Sequence, residues 1–335
     1  MVTTLPTLTR RIDDAFTTTW YEIRPEAIDN ILNNLVVWAA LQERGVLKTQ
    51  VGGEFITRTI RHGSKDASWI NKASTLTQGE DEIETMARWD WRYVSSHVVR
   101  SIIDDQKNNG PSKIKSLVAV KTGAARDALE QEFEAQILGT ENPTETGDTM
   151  MNLNDIVPSV ANRTTGTYGG IAQPTAFASG VPSTGNVWWG GRYKELTAPK
   201  EVNLVTDMVN LYNTLSYGSR PPNLIITDQT LFELYENMAL DPAQIVKRTG
   251  GVADLGFEVL MFKGKDMIFT GNMSASNALF LNTDFIDVVY DPQLWFDMTE
   301  WKPVPLETRR IAHFLSAVTT VSSQRRCQGR LHPAA

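Results

Sequence analysis

The side chains able to do chemistry in this sequence are few and poorly spaced for it. Four histidines, His62, His97, His313 and His332, are its only imidazoles. No two of them stand three or four residues apart, the spacing that would put a pair of metal ligands on one helix face. His313 falls inside a run of β-formers and reads as a sheet residue before it reads as a base. Cys327 is the only cysteine, which excludes an internal disulfide and a multi-cysteine zinc site. Arg325 and Arg326 beside it would lower the pKa of an exposed thiol, but no second cysteine completes a reactive pair. Glu80, Asp81, Glu82 and Glu84 could hold a cation or form a carboxylate pair. They lack the Asp-x-Asp-x-Asp-Gly spacing of a calcium loop and read as a solvated tip. Gly250-Gly251 follows helical-looking residues and precedes VADLG, a poor setting for a phosphate cradle. GxGxxG, a P-loop, GxSxG and HExxH are all absent. Asn162-Arg163-Thr164 matches a glycosylation sequon, which matters only in a secreted chain. The expectation is a non-enzyme with no catalytic residue, no cofactor and no metal.

The bulk properties bound the alternatives. A chain of 335 residues buries roughly three quarters of the surface its unfolded form exposes, so it needs no staple to fold. The net charge, 32 − 39 = −7, argues against a general polyanion binder. Arg309-Arg310, and Arg325-Arg326 with Arg330, are short basic runs that read as solvated surface or subunit contact. No run of 18 apolar residues is present, so no membrane span is expected. The opening VTTLPTLTRRIDD lacks the apolar centre of a signal peptide, which points to synthesis in the cytoplasm. Nine tryptophans are the positive anomaly. Trp69, Trp89 and Trp91 fall on one hairpin-like stretch, and Trp188 and Trp189 on one Gly-rich stretch. An intramolecular core is one reading of them; aromatic residues are also enriched at protein interfaces, so burial against neighbouring subunits is the expectation, for Trp69 and Trp91 above all.

The elements that must position these residues follow from periodicity. Residues 1–20 are Thr-rich and suit an extended arm. A helix is expected from Pro25 to Arg44, with Gly45 as its stop. Glu54 to Arg61 and Ile83 to Val99 alternate as strands, with Ile83, Thr85, Ala87, Trp89, Trp91 and Tyr93 on one face. With the polar connection Gly63 to Asp81 they read as one extended hairpin, and a lone two-stranded hairpin is marginal in water. Ser112 to Leu138 reads as a long helix ended by Gly139, with Glu130, Glu132 and Glu134 off its apolar stripe. Thr140 to Pro199 is rich in Gly, Pro, Thr and Asn, yet its tryptophans argue against disorder. Then come a helix from Lys200 to Ser216, a strand from Asn223 to Thr227 and a helix from Asp228 to Ala239. The last third reads as strands over Gly256–Thr270, Ala278–Tyr290 and Leu306–Gln324.

This order of elements resembles the major capsid proteins of tailed bacteriophages, whose Hong Kong phage-type fold is shared with herpesviruses and cellular encapsulins. Stretches from Val46 to Gly63, Ala87 to Ser101, Thr167 to Ile171, Asn186 to Gly191, Pro222 to Met238, Leu255 to Phe269 and Ala278 to Tyr290 are similar to one branch of that family. The resemblance runs from Ile12 to Leu331. It implies an α+β fold divided into an N-terminal arm and first helix (1–50), an extended β-hairpin or E-loop (51–99), a peripheral domain with a long spine helix (100–148), an axial domain with a Gly-rich insertion (149–275), and returning strands with the C-terminus (276–335). It further implies a shell subunit of the virion, assembled in the host cytoplasm into hexamers and pentamers around double-stranded DNA that it does not bind sequence-specifically. The implied partners are copies of itself, a scaffolding protein, a portal protein and a decoration protein, with no membrane. An encapsulin-like compartment enclosing a protein cargo is the alternative. Trp69, Trp89, Trp91, Trp188 and Trp189 are the expected subunit contacts, together with Lys65 and Lys72 at the hairpin tip. Some members cross-link neighbours through an E-loop lysine; no partner asparagine for Lys65 or Lys72 can be identified. The arm before the first helix is short, so the scaffold is expected to be a separate protein.

Overall fold

The structure, a computed structural model, describes residues 35–63, 69, 71–72, 82–103, 117–216, 218, 220–239 and 260–333. The arm, Lys65, Glu80, Asp81, Gly250-Gly251 and the start of the long helix lie outside these residues. The chain divides into two compact units. The described part of the larger comprises residues 35–93, 133–292 and 317–333, and that of the smaller comprises 94–132 and 293–316.

In chain order, helix α1 (Val36–Glu43) comes first. Gly45 follows it at φ +65°, a left-handed conformation that a residue without Cβ adopts at little steric cost. β1 (Leu47–Thr49) leads into the hairpin strands β2 (Phe55–Arg61) and β3 (Glu84–Asp90), paired antiparallel from Phe55↔Asp90 to Arg61↔Glu84. β4 (Tyr93–Ser101) and the long helix α2 (Leu117–Ile137) follow. The continuous strand expected from Ile83 to Val99 is therefore broken at Trp91-Arg92. Its partners explain the break. The Arg92 guanidinium donates to the carbonyls of Glu145 and Gly147, its own carbonyl accepts from the Val318 N–H at 2.9 Å, and Trp91 Nε1 donates to the Gly53 carbonyl at 2.9 Å. Beyond this corner the burial phase is lost. Ala87 and Trp89 are buried, whereas Tyr93 is exposed.

The Gly-rich stretch is a series of short ordered pieces: α3 (Leu153–Ile156), β5 (Thr167–Tyr168), β6 (Ile171–Ala172), β7 (Ala176–Ala178), β8 (Val181–Thr184) and β9 (Arg192–Glu195). Asn152 caps α3 reciprocally with Asp155, a capping box that satisfies two amides at once. Helix α4 (Lys200–Leu215), strand β10 (Leu224–Thr227) and helix α5 (Gln229–Ala239) stand where the sequence places them. Asp228 Oδ1 accepts the Leu231 N–H at 3.4 Å at the start of α5.

Two expected strands prove to be pairs. Within Gly256–Thr270, β11 (Leu260–Phe262) and β12 (Lys265–Phe269) are joined by Lys263-Gly264, both at positive φ, as a two-residue hairpin turn demands. Within Ala278–Tyr290, β13 (Ala278–Leu281) and β14 (Ile286–Tyr290) enter different sheets. Asn282 makes the switch: Gln328 exchanges two hydrogen bonds with its backbone, and its side chain caps the following turn. The short β15 (Asp297–Met298) and β16 (Lys302–Pro303) precede the long β17 (Arg309–Ser322), and β18 (Gly329–His332) ends the described chain.

The core of the larger unit is a mixed sheet in the order β11-β12-β10-β13-β18-β9. All four residues of β10 and of β13 are buried, as expected of central strands covered on both faces. Leu204, Met208, Leu211 and Leu215 of α4 recur at helical spacing and join Leu231 and Phe232 of α5 in its core. Each fully buried side chain of this size contributes roughly 1.5–3 kcal/mol. Gly329 on β18 permits the closest approach, since a Cβ there would lie 2.5 Å from Leu215 Cδ1. In the same unit β1 pairs parallel with β14, and β14 antiparallel with the last residues of β17. In the smaller unit β15 and β16 pair with the first half of β17. Its core is Val98, Ala125, Leu129 and Phe314, with Val94, Phe296 and Trp301 packed on it.

One carboxylate departs from its expected place. Glu134, read as lying off the apolar stripe, is buried and accepts the N–H groups of Val37 at 3.0 Å and Trp38 at 2.7 Å. It thereby supplies the cap that Leu35 does not. Burial pushes its carboxyl above the ordinary range, while the two amides pull it back.

Candidate functional site

The candidate site is the β2–β3 hairpin, its anchorage in the larger unit and the cleft beside it. Alternation gives the hairpin two faces. Ile56, Ile60, Ala87 and Trp89 are buried on one, while Thr57, Thr59, Arg61, Met86 and Arg88 are exposed on the other. The buried face is held by the turn between β5 and β6, where Gly169 and Gly170 have φ +63° and +71°. The Arg88 N–H donates to the Gly169 carbonyl at 3.0 Å. A Cβ on Gly169 would sit 2.7 Å from Trp89 Cζ2 and 3.0 Å from Ala87 Cβ, so glycine is required here by both conformation and space. The Glu145 carboxylate braces the turn from behind, accepting from the N–H groups of Gly169 and Gly170 and from the Thr167 hydroxyl.

Behind the turn stands Arg325, fully buried. Its guanidinium donates to the Ile156 carbonyl at 2.8 Å, the Asp155 carbonyl at 3.2 Å and Gln173 Oε1 at 2.8 Å. It also lies 4.7 Å from the Tyr168 ring centroid and 5.7 Å from that of Trp189, within cation–π range. The chain is closed by Trp189 Nε1 donating to the Tyr168 carbonyl at 2.8 Å and by the edge contact of Tyr168 with Trp89 at 5.6 Å. Burial lowers the Arg325 pKa to about 10, leaving it charged at neutral pH. Burial raises Asp155 to about 6, against hydrogen bonds from the amides of Asn142 and Asn152. Burial also pushes the Tyr168 hydroxyl well up. The hub is structural, because its donors point at main-chain and amide oxygens of the same chain.

The reading of Arg325, Arg326 and Arg330 as solvated is thus corrected for Arg325 and Arg330, both buried. Arg330 donates to Glu141 Oε1 at 2.8 Å and to Asn277 Oδ1 at 3.0 Å. Cys327, read from the sequence as structural rather than reactive, is buried. Burial raises its thiol pKa, with Arg326, Arg192 and Arg220 opposing, so it is not an activated nucleophile. His313 is exposed, and His332 is buried with its pKa lowered by that burial. Among the described residues no group of three or more His, Cys, Asp or Glu is placed to hold a metal ion. No helix among them is long and apolar enough to cross a membrane.

The expected contact residues separate into two sets. Trp89 and Trp189 are only 2% and 1% exposed within their own chain. They anchor the hairpin internally and present no surface to a neighbour, which corrects their assignment to a subunit contact. Trp69 is fully exposed, and Lys72 is exposed. Trp91 and Trp188 are half-buried. Trp188 stacks on His62 with centroids 4.3 Å apart and planes 14° apart. This stack borders a cleft of about 260 Å³ beside β2, also lined by Arg61, Ser323, Gln324 and Arg326. Tyr168, Gly169, Glu145 and Arg325 were missed as site builders. The paired glycines after Thr167-Tyr168 were the available signal for the turn.

No protein-family model and no curated protein matches the sequence. Solved structures do match the fold. A chain of the cyanophage A-1(L) capsid asymmetric unit superposes with a TM-score of 0.62 at 16% identity, covering 93% of this chain and 96% of that one. A capsid chain of the empty GTA particle superposes at 0.62 with 12% identity, covering 95% and 96%. A chain of Gordonia phage Cozz does so at 0.53 with 12% identity, covering 94% and 91%. The chain has the Hong Kong phage-type α+β capsid fold over nearly its whole length.

Proposed function

We propose that the protein is a major capsid protein, the structural subunit of an icosahedral phage head, and that it has no enzymatic activity. The observation that carries this reading is the hairpin. Its base is locked to the body by Trp89, Gly169 and the Arg325 hub, while Trp69 on its connection is fully exposed. A hairpin held at its base, whose connection carries an unburied tryptophan, suits burial by another chain, since such aromatic anchors dominate interface energetics. Agreement of fold with capsid chains over 93% and 95% of this chain supports the same conclusion. Copies of the chain would form hexamers and pentamers, with Trp69 and Lys72 at contacts between them and Trp91 and Trp188 at their margins. A scaffolding protein, a portal and a decoration protein are the further partners, with assembly in the host cytoplasm. The net charge of −7 suits a container that encloses DNA without gripping it. Electron microscopy of the purified protein, alone and with a co-expressed scaffold, tests the reading. Shells, tubes or capsomers are the expected outcome, and a strictly monomeric species under every condition overturns it.

A further inference from the structure

Strand pairing brings together two side chains that the linear spacing of the histidines keeps apart. β4 pairs with β17. The Ile102 N–H donates to the Thr308 carbonyl at 3.1 Å, and the Val318 N–H to the Arg92 carbonyl at 2.9 Å. From the pair Arg92–Val318 to the pair Ile102–Thr308 is ten residues on either strand, in opposite directions, so the register is antiparallel with no net insertion. His97 and His313 each stand at the middle of this span, five residues in, and so face each other directly. Burial has the same phase. Val94, Val98 and Phe314 belong to the core of the smaller unit and Ala312 is buried, whereas His97 and His313, of the opposite parity, are exposed. His313 also turns both of its backbone groups away from β4. Its N–H donates to Thr299 Oγ1 at 2.9 Å, and its carbonyl accepts from the Thr299 N–H at 2.8 Å. The two histidines therefore occupy a non-hydrogen-bonded position, where facing Cα atoms come to roughly 4.5 Å and side chains lie closest.

Two imidazoles so placed can reach one ion. Neutral imidazole is a good ligand for borderline divalent cations such as Cu²⁺, Ni²⁺ and Zn²⁺. Once one ring has bound, capture by the second is intramolecular, because the sheet already holds both. The charged neighbours across β17 are Asp297, opposite Leu315, and Lys302, opposite Ile311, one of each sign, so the local field does not repel a cation. We propose that His97 and His313 form a two-histidine chelate for a divalent transition-metal ion on the exposed face of the β4–β17 pair. Water completes the coordination, since among the described residues no third His, Cys, Asp or Glu is placed to join them. The bound ion would fasten β4 to β17. This site lies apart from the hairpin and stands or falls independently of the shell reading.

Titration of the untagged full chain with Ni²⁺ tests it. One ion per chain should bind, and the unfolding midpoint should rise with Ni²⁺, because only the folded sheet presents both rings together. His97→Asn and His313→Asn should each weaken binding by about tenfold or more. The double variant should be little worse than either, as expected when two side chains act as one. Circular dichroism without metal should match the wild type in all three, which separates loss of a ligand from loss of the fold. With Cu²⁺, the electron paramagnetic resonance spectrum of the wild type should show coupling to two imidazole nitrogens, and to one in either single variant. Should a variant fail to fold, the wild-type spectrum still decides, since coupling to fewer than two nitrogens overturns the chelate. So would a wild-type chain that binds no ion, binding that survives in both single variants, or a loss confined to one of them. One ion shared between two chains would place the ligands on different subunits and overturn it as well.

Discussion

The two ends of the hairpin contain the same residue type under opposite conditions. At the base, Trp89 is enclosed by Gly169, Ala87 and Tyr168. On the connection, Trp69 touches so little of its own chain that it is fully exposed. A tryptophan at the base contributes to the stability of the monomer, whereas one left in water contributes nothing until something covers it. Stability and association should therefore respond to different residues, and mutations can pull them apart.

The largest loss of stability is expected from Arg325→Ala. It removes donors to the carbonyls of Ile156 and Asp155 and to Gln173, and it empties the space between Tyr168 and Trp189. Orphaned buried acceptors together with a cavity of this size should cost about 4 kcal/mol or more. Urea denaturation of the unassembled subunit would measure it, and a cost under about 1 kcal/mol would show that the hub is dispensable.

Gly169→Ala comes next, at about 2–3 kcal/mol, because it combines an unfavourable φ with a collision against Trp89. Trp89→Phe in the same chain should recover part of that cost by withdrawing the atoms the new methyl meets. Purely additive costs in the double variant would mean that backbone strain, rather than contact, dominates.

Asp155 gives an effect confined to one pH window. Its folded-state pKa of about 6 lies above the ordinary carboxylate value, so the folded form holds its proton more tightly than the unfolded one. Its favourable contribution is complete below about pH 4 and is lost as pH rises through about 6. The stability difference between the wild-type protein and Asp155→Asn should shift against the wild type by up to ~3 kcal/mol across that window and be flat above it. A difference that does not vary with pH would remove Asp155 as a titrating group.

The smallest change in monomer stability is expected at the connection. Replacing Gly63 to Asp81 with Asn-Gly removes Trp69 and Lys72 but leaves the base intact, so stability should move by no more than about 1 kcal/mol. Closed particles should nevertheless disappear from electron micrographs. Normal shells from this variant would show that the connection is not a subunit contact, and unfolding would show that it belongs to the monomer's core.

Much of this arrangement was legible in the sequence, for reasons that also mark where legibility stops. Period-2 alternation located β2 and β3, helical spacing located α4 and α5, and Gly45 marked the end of α1. Those signals are local. The corner at Trp91-Arg92 depends on Glu145, Gly147 and Val318, and nothing in the run from Ile83 to Val99 encodes them. Arg325 looked like its neighbour in a basic run, and only the converging oxygens of Ile156, Asp155 and Gln173 distinguish it. Composition singles out the tryptophans, but it cannot say which of them find partners inside the chain. Trp89 found Gly169 at a separation no periodicity reaches.

Helix α1 has eight residues, no side-chain cap of its own and an N-terminus completed by Glu134 from far along the chain. A segment this short does not sustain a helix alone in water. The amides of Val37 and Trp38 should become protected from hydrogen exchange once Glu134 of α2 is in place to receive them. The two helices should therefore open and close as one cooperative unit, with the helicity of α1 borrowed from its distant neighbour. Glu134→Ala would uncouple them, exposing the first amides of α1 at a cost of about 1–3 kcal/mol. Glu134→Gln, which keeps one acceptor oxygen and sheds the buried charge, should leave most of that protection in place. The order in which these amides exchange thus reports on when, during folding, a contact between residues so distant in sequence is made.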